Sequence, residues 1–171
     1  MLTVQLWSEE MTAQIHEKIR YQGKRMRLAS CPHFPEDHPR IKETSEKDIL
    51  KLAMDDKTGI IFSTACWREY IGSWSIRRGK LYLTNLEGRF QLAGSEAIFA
   101  DWFTGELKIP KGQMLDYIHM GFDTVYEQEI ILLVVAGVVI NTEIVNPTRR
   151  IGYRDLVDPG AHKLPRKKTT K

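Results

Sequence analysis

The sequence has few residues of the kinds that cross-link a small protein or anchor it in a membrane. It contains two cysteines, Cys31 and Cys66, and their separation does not match the paired-ligand spacing of a zinc site. We therefore expect neither a disulfide framework nor a metal. The longest apolar run, residues 130–140, is far shorter than the about 20 residues that a membrane-spanning helix needs. The first ten residues carry acids and lack the basic-then-apolar pattern of a secretory signal, so we expect a cytoplasmic protein with no membrane partner.

Charge of one sign and the standard motifs of catalysis are also scarce. The net charge is +3, and Arg166, Lys167 and Lys168 near the end of the chain supply all of that excess. A neutral body argues against nucleic acid as a partner. The sequence contains no phosphate-binding loop, no dinucleotide glycine pattern and no His-Glu-x-x-His or Gly-x-Ser-x-Gly motif. We therefore expect no cofactor, and an enzyme is the less favoured interpretation.

What is present is an ordinary globular composition. Of the 171 residues, 42% are hydrophobic and 27% are charged, which is typical of one soluble domain with its own core. The pattern predicts a single β-rich domain over residues 1–158. From Pro159 onward the chain is polar and basic, which predicts a disordered tail over residues 159–171.

The strongest structural signal is a β-hairpin within residues 127–143. Its two apolar runs are rich in valine and isoleucine, which favour strands over helices, and Ala136 and Gly137 between them form a two-residue turn. That turn predicts three cross-strand pairs: Val135 with Val138, Val134 with Val139, and Leu133 with Ile140. Both faces are apolar near the turn, so we expect both to be covered. A buried core helix is the alternative for so short a run.

Two further hairpins follow from the same reasoning. Residues 15–21 and 24–28 turn at Gln22 and Gly23, which places Ile19 opposite Met26. Residues 70–76 and 80–84 turn at Arg78 and Gly79. That second turn pairs Ile76 with Leu81 and Trp74 with Leu83. One face of the first hairpin is strongly basic and carries His16, Lys18, Arg20, Arg25 and Arg27.

One segment has the pattern of a helix. Residues 45–54 begin at Ser45, an N-cap residue, with Asp48 three positions later, and Ile49, Leu52 and Ala53 recur at helical spacing. The whole chain therefore predicts a β-rich α+β fold. We expect an antiparallel sheet curled into a barrel or a two-layer sandwich, with this one main amphipathic helix over part of it. A flat two-layer α+β fold is the alternative. Residues 60–62 predict a further short strand, and residues 110–112 a loop.

Two functional constellations stand out. Cys66, His119 and Asp101 supply the residue types of a nucleophile, a base and an orienting group, so a small Cys/His-dependent hydrolase or transferase is one alternative. A barrel that holds a small apolar ligand is another. The second constellation consists of aromatic and arginine side chains, which dominate protein-binding hot spots. The candidate partner-binding residues are Trp67, Arg68, Trp102, Arg20, Arg25 and Arg27.

Three segments carry a resemblance to a known group of proteins. Residues 64–74 read TACWREYIGSW, residues 99–105 read FADWFTG, and residues 117–121 read YIHMG. Together they resemble an uncharacterised family of small bacterial proteins with "TACWRGY", "ADWF" and "HMG" segments, over about residues 15–143. Glu69 departs from the family's glycine. The resemblance implies an immunity protein, which neutralises a cognate, secreted antibacterial toxin by binding and occluding it.

Overall fold

A computed structural model describes residues 13–54, 63–118 and 121–147 of the chain. In these residues ten strands and one helix follow each other in the order β1 Glu17–Tyr21, β2 Lys24–Leu28, β3 Ile41–Glu43, α1 Glu46–Met54, β4 Tyr70–Arg77, β5 Lys80–Gly88, β6 Phe90–Leu92, β7 Ile98–Phe99, β8 Gly105–Asp116, β9 Val125–Val135 and β10 Val138–Val145. The β-rich prediction is confirmed. The predicted strand at residues 60–62 and the tail at 159–171 lie outside the described residues.

Eight of the strands form one mixed sheet. Its order is β2-β1-β4-β5-β10-β9-β8, with β7 paired to β5, while β3 and β6 form a separate pair. The predicted antiparallel sheet is wrong at β1 and β4, which run parallel. The predicted barrel is also wrong, because the sheet is not closed. Its two ends do approach each other where the Ala29 N–H donates to the Lys108 carbonyl at 2.7 Å. The two-layer sandwich stays a prediction.

All three predicted hairpins are present. Ile19 lies opposite Met26, Ile76 opposite Leu81, and Trp74 opposite Leu83, as the turns imply. Each two-residue turn has positive φ at both positions, for example +47° at Ala136 and +75° at Gly137. That conformation gives the turn the same twist as the strands it joins, and glycine adopts it without a steric penalty.

The central hairpin follows the predicted register for two pairs and then shifts. Val135 pairs with Val138 and Val134 with Val139, but Leu133 lies opposite Asn141 and not Ile140. A β-bulge at this point inserts one extra residue into β10. The predicted loop at residues 110–112 is also wrong, since β8 continues through it, and its pairing with β9 becomes irregular only after Lys111.

The sequence predicts that both faces of this hairpin are covered, and this prediction is wrong for the outer face. Leu132 and Val134 are fully buried, whereas Leu133 is 36% and Ile140 58% exposed. The inner face packs into a single core cluster with side chains from β4, β5 and β8, including Trp74, Leu83 and Leu107. The core therefore lies on one side of the sheet, within its curl.

The helix α1 forms where predicted but contributes less to the core than expected. Its N-terminus is capped as expected, with the Asp48 N–H donating to Ser45 Oγ at 3.2 Å. Leu50, however, is 66% exposed, and none of the helix side chains that the structure describes belongs to the core cluster. A main amphipathic helix covering the sheet is therefore not supported.

Candidate protein-binding surface

The outer face of β1, β2 and β4 carries a dense patch of positive charge. Lys18 lies directly opposite Arg27, and Arg20 directly opposite Arg25, all four with exposed side chains. Like charges that face each other across two strands destabilise the pair. The chain as a whole is nearly neutral, so this concentration of charge is local. A face that accepts such repulsion is a candidate for binding something acidic.

These side chains line a half-open cleft of about 560 Å³, called here the basic cleft. Its charged lining consists of five basic residues and one acidic residue, namely Lys18, Arg20, Arg25, Arg27, Arg77 and Glu87. Glu87 is already paired, since its carboxylate accepts from Lys18 Nζ at 2.8 Å. Ser73, Ser75 and Thr84 also line the cleft, and the Thr84 hydroxyl donates to the Ser73 carbonyl at 2.8 Å. The lining suits carboxylates, which accept hydrogen bonds from both guanidinium and hydroxyl groups.

A second, smaller cleft adjoins the first and is lined by aromatic rings. This aromatic cleft has a volume of about 250 Å³ and includes His16, Tyr117, Phe122 and Tyr126. The His16 ring stacks on Phe122 with centroids 5.5 Å apart. Burial and the positive charges of Arg27 and Arg68 lower the pKa of His16, so its ring is neutral at neutral pH. Arg27 lines both clefts and joins them into one surface.

Behind the aromatic cleft lies a buried charged cluster. Glu17 is buried, and its Oε2 accepts a hydrogen bond from the indole N–H of Trp74. Its Oε1 lies 3.2 Å from Arg68 Nε, but the two atoms are not aligned for a hydrogen bond. Burial raises the pKa of Glu17 to about 7, against the opposing effects of Trp74, the Arg68 charge and the Gly72 N–H. A carboxyl group with this pKa titrates close to neutral pH.

Arg68 also ties the segment that carries Trp67 to the start of β1. Its Nη2 donates to the Ile15 carbonyl at 2.8 Å, and its guanidinium carbon lies 5.8 Å from the ring centroid of Tyr70 and 5.9 Å from that of Phe122. Gln14 adds a second tie, because its side chain accepts from the Trp67 N–H at 3.1 Å and donates to the Thr64 carbonyl at 3.1 Å. Residues 63–69 are called here the Trp67 loop.

The structure separates the six predicted partner-binding residues into three places. Arg20, Arg25 and Arg27 share the basic cleft. Trp67 is 57% exposed on its loop, whereas the neighbouring Arg68 is turned inward and mostly buried. Trp102 is half-buried and lies elsewhere, where its Nε1 donates to the His33 carbonyl at 2.9 Å. Arg68 therefore positions the surface and does not present its charge to a partner.

The candidate catalytic residues that the structure describes do not form an active site. Cys66 is buried, and its thiol donates to the Tyr70 carbonyl at 3.2 Å. Burial raises the pKa of this thiol, which disfavours the thiolate that a nucleophile needs. Asp101 is exposed in the turn after β7, and His119 lies outside the described residues. Within the same residues, no group of three or more potential ligands gathers around a metal site.

Sequence reasoning missed Glu17, although the signal was present. Side chains alternate between the two faces of a strand, so Glu17 shares a face with Ile15, Ile19 and Tyr21. An acidic residue at an inward position of an apolar face needs a buried partner. The partner, Arg68, is about fifty residues away and gives no local clue.

Comparisons with known proteins leave the chain without an assigned family. A scan against protein-family models and searches of curated proteins and of solved structures each returned no significant match. In the part of the chain that the structure describes, no helix has the length and apolar character to cross a membrane.

Proposed function

We propose that this chain is a protein-binding antagonist of the immunity type, which acts in the cytoplasm and neutralises a cognate antibacterial toxin by covering its active site. The observation that carries the proposal is the surface made by the basic and aromatic clefts. It combines arginines with aromatic rings, the side chains that contribute most to binding energy at protein interfaces. The resemblance of residues 64–74, 99–105 and 117–121 to the immunity-like family supports the same class.

The charge of the surface favours a partner with an acidic binding face. Five basic side chains around the basic cleft favour an acidic protein surface, and long-range attraction between opposite charges speeds association. Binding also relieves the repulsion between Lys18 and Arg27 and between Arg20 and Arg25, which the free protein carries. Trp67 and the rings of the aromatic cleft then supply apolar contacts at one side of the charged patch.

The alternatives have less support. A Cys/His-dependent enzyme needs an accessible thiolate, whereas Cys66 is buried with a raised pKa. A ligand-binding barrel needs an empty interior, whereas the curl of this sheet is filled by large side chains such as Trp74, Leu83 and Leu107. Both clefts described above open to the outside.

Co-expression with the product of the neighbouring gene tests the proposal. If that gene encodes the cognate toxin, the two proteins co-purify and the chain restores growth of cells that express the toxin. Absence of a stable complex together with absence of rescue would contradict the proposal. A purified chain that binds a short oligonucleotide more tightly than the protein partner would also contradict it.

A further inference from the structure

A buried ion pair holds the Trp67 loop beside β1, together with the two Gln14 hydrogen bonds and the Ile15 N–H, which donates to the Ala65 carbonyl at 2.7 Å. Glu17 belongs to β1 and Arg68 to the loop, and their side chains are 0% and 12% exposed. Arg68 makes its other contacts to the Ile15 carbonyl and to the rings of Tyr70 and Phe122. Removing the charge of Glu17 therefore leaves the Arg68 guanidinium without its counter-charge, which favours movement of Arg68 toward water.

We infer that Glu17 and Arg68 form a proton-sensitive latch, which fixes the Trp67 loop and Phe122 against β1 when the carboxyl group is ionised and releases them when it is protonated. Neutral Glu17 stays in its pocket, where Trp74 and Gly72 still surround it, while Arg68 moves toward water. Because Phe122 lines the aromatic cleft and lies against Arg68, release of Arg68 also changes the shape of that cleft.

Of the titratable groups around Glu17, Glu17 itself is the one that changes its charge near neutral pH. Arg68 and Cys66 approach from the Trp67 loop, Tyr70 from β4, and Cys31 from the segment after β2. The pKa values of Cys66 and Tyr70 are raised by burial, so both stay neutral at neutral pH. Burial raises the pKa of Glu17 to about 7. Lys18, its neighbour on β1, points to the opposite face, and His16 precedes the strand.

The latch rests on contacts within the chain, and only its effect on toxin binding rests on the proposed function. It is tested on the full-length chain alone, by amide hydrogen exchange of residues 63–69 between pH 5.5 and 8.5, corrected for intrinsic exchange rates. We expect protection of this segment to fall about tenfold as the pH drops through neutrality. Glu17→Gln is expected to lose protection at high pH and to show no transition. His16→Gln, which removes the histidine next to Glu17 in the chain, is expected to keep the transition.

A second measurement needs no variant. A carboxyl ¹³C titration of the wild-type chain, with Glu17 assigned, is expected to show one buried glutamate with a midpoint well above those of exposed glutamates. Protection of residues 63–69 that does not change with pH would overturn the inference. So would a transition that persists in Glu17→Gln but disappears in His16→Gln. Neither result bears on whether the chain binds a toxin, so the two proposals fail independently.

Discussion

Glu17 and Trp74 are joined across two parallel strands, where the indole N–H of Trp74 donates to the buried carboxylate of Glu17. Gly72 makes room for this pair, because a Cβ at that position would lie 2.7 Å from both Glu17 Oε2 and Trp74 Nε1. The contact brings a charged group into the core, beside the loop that carries Trp67. It thus links the stability of the fold to the state of the candidate binding surface.

The first prediction concerns the pH dependence of stability. The pKa of Glu17 rises from an ordinary value of 4.5 to about 7 on folding, so the folded chain holds a proton that the unfolded chain releases. Stability from this group is full below about pH 4.5 and is lost as pH rises through 7, by at most about 3 kcal/mol. Urea unfolding of Glu17→Gln at pH 5.5 and pH 8 is expected to remove this difference. Glu106→Gln, at an exposed position, is expected to keep it.

The second prediction compares two adjacent leucines of β9. Leu132 is fully buried, whereas Leu133 is 36% exposed on the outer face. Leu132→Ala is expected to lower the free energy of unfolding by about 2–5 kcal/mol, because it leaves a cavity in the core. Leu133→Ala is expected to cost about 1 kcal/mol or less. Equal losses in chemical denaturation would show that the outer face is covered after all.

The third prediction compares two turn glycines that differ only in their surroundings. Gly23 and Gly137 have φ of +77° and +75°, so both favour glycine. A Cβ at Gly23 meets nothing within 4 Å, whereas one at Gly137 would lie 2.6 Å from the Ala100 carbonyl oxygen. Gly23→Ala is expected to cost about 1 kcal/mol from the backbone alone. Gly137→Ala is expected to lower stability clearly more than Gly23→Ala, as measured by thermal unfolding. An effect equal to or smaller than that of Gly23→Ala would contradict the close contact between Gly137 and the Ala100 carbonyl.

The fourth prediction concerns Glu69, where the resemblance expects glycine. Its φ is +59°, a conformation that favours glycine, and its carboxylate pairs with Arg89, which also binds Glu43 at 3.0 Å. Glu69→Ala loses the ion pair and keeps the strain, whereas Glu69→Gly loses the pair and relieves the strain. The glycine variant is therefore expected to be more stable than the alanine variant by about 1 kcal/mol. An alanine variant as stable as the glycine variant would argue against strain at this position.

Local signals in the sequence specify the hairpins well. Turn residues such as Arg78 and Gly79 and the alternation of apolar side chains each indicate the same register, and the structure confirms the pairing of Trp74 with Leu83. The bulge in β10 is not predictable in this way, because residues 138–143 contain no glycine or proline that would mark an interruption. Because of the bulge, the cross-strand partner of Leu133 is Asn141 and not the predicted Ile140.

Contacts between distant parts of the chain account for the rest. The parallel pairing of β1 with β4 joins segments about fifty residues apart, and no local pattern records it. The burial of Arg68 depends on the same pairing, because β1 brings Glu17 to it. The basic residues Arg20, Arg25 and Arg27 were identified because their charge repeats at strand spacing on one face. That they enclose a cleft together with Arg77 depends on β4, which the sequence does not place beside them.

The most direct test of the proposed function is the affinity of charge-reversal variants for the proposed toxin partner, isolated by the co-expression experiment described above. Arg20→Glu with Arg25→Glu reverses two charges in the basic cleft, and Lys42→Glu with Lys47→Glu makes the same change in net charge at exposed positions outside it. We predict that the first pair weakens binding at least a hundredfold and that the second pair changes it less than about threefold. Equal affinities for the two double variants, both folded as judged by circular dichroism, would contradict the assignment of the basic cleft as the binding surface.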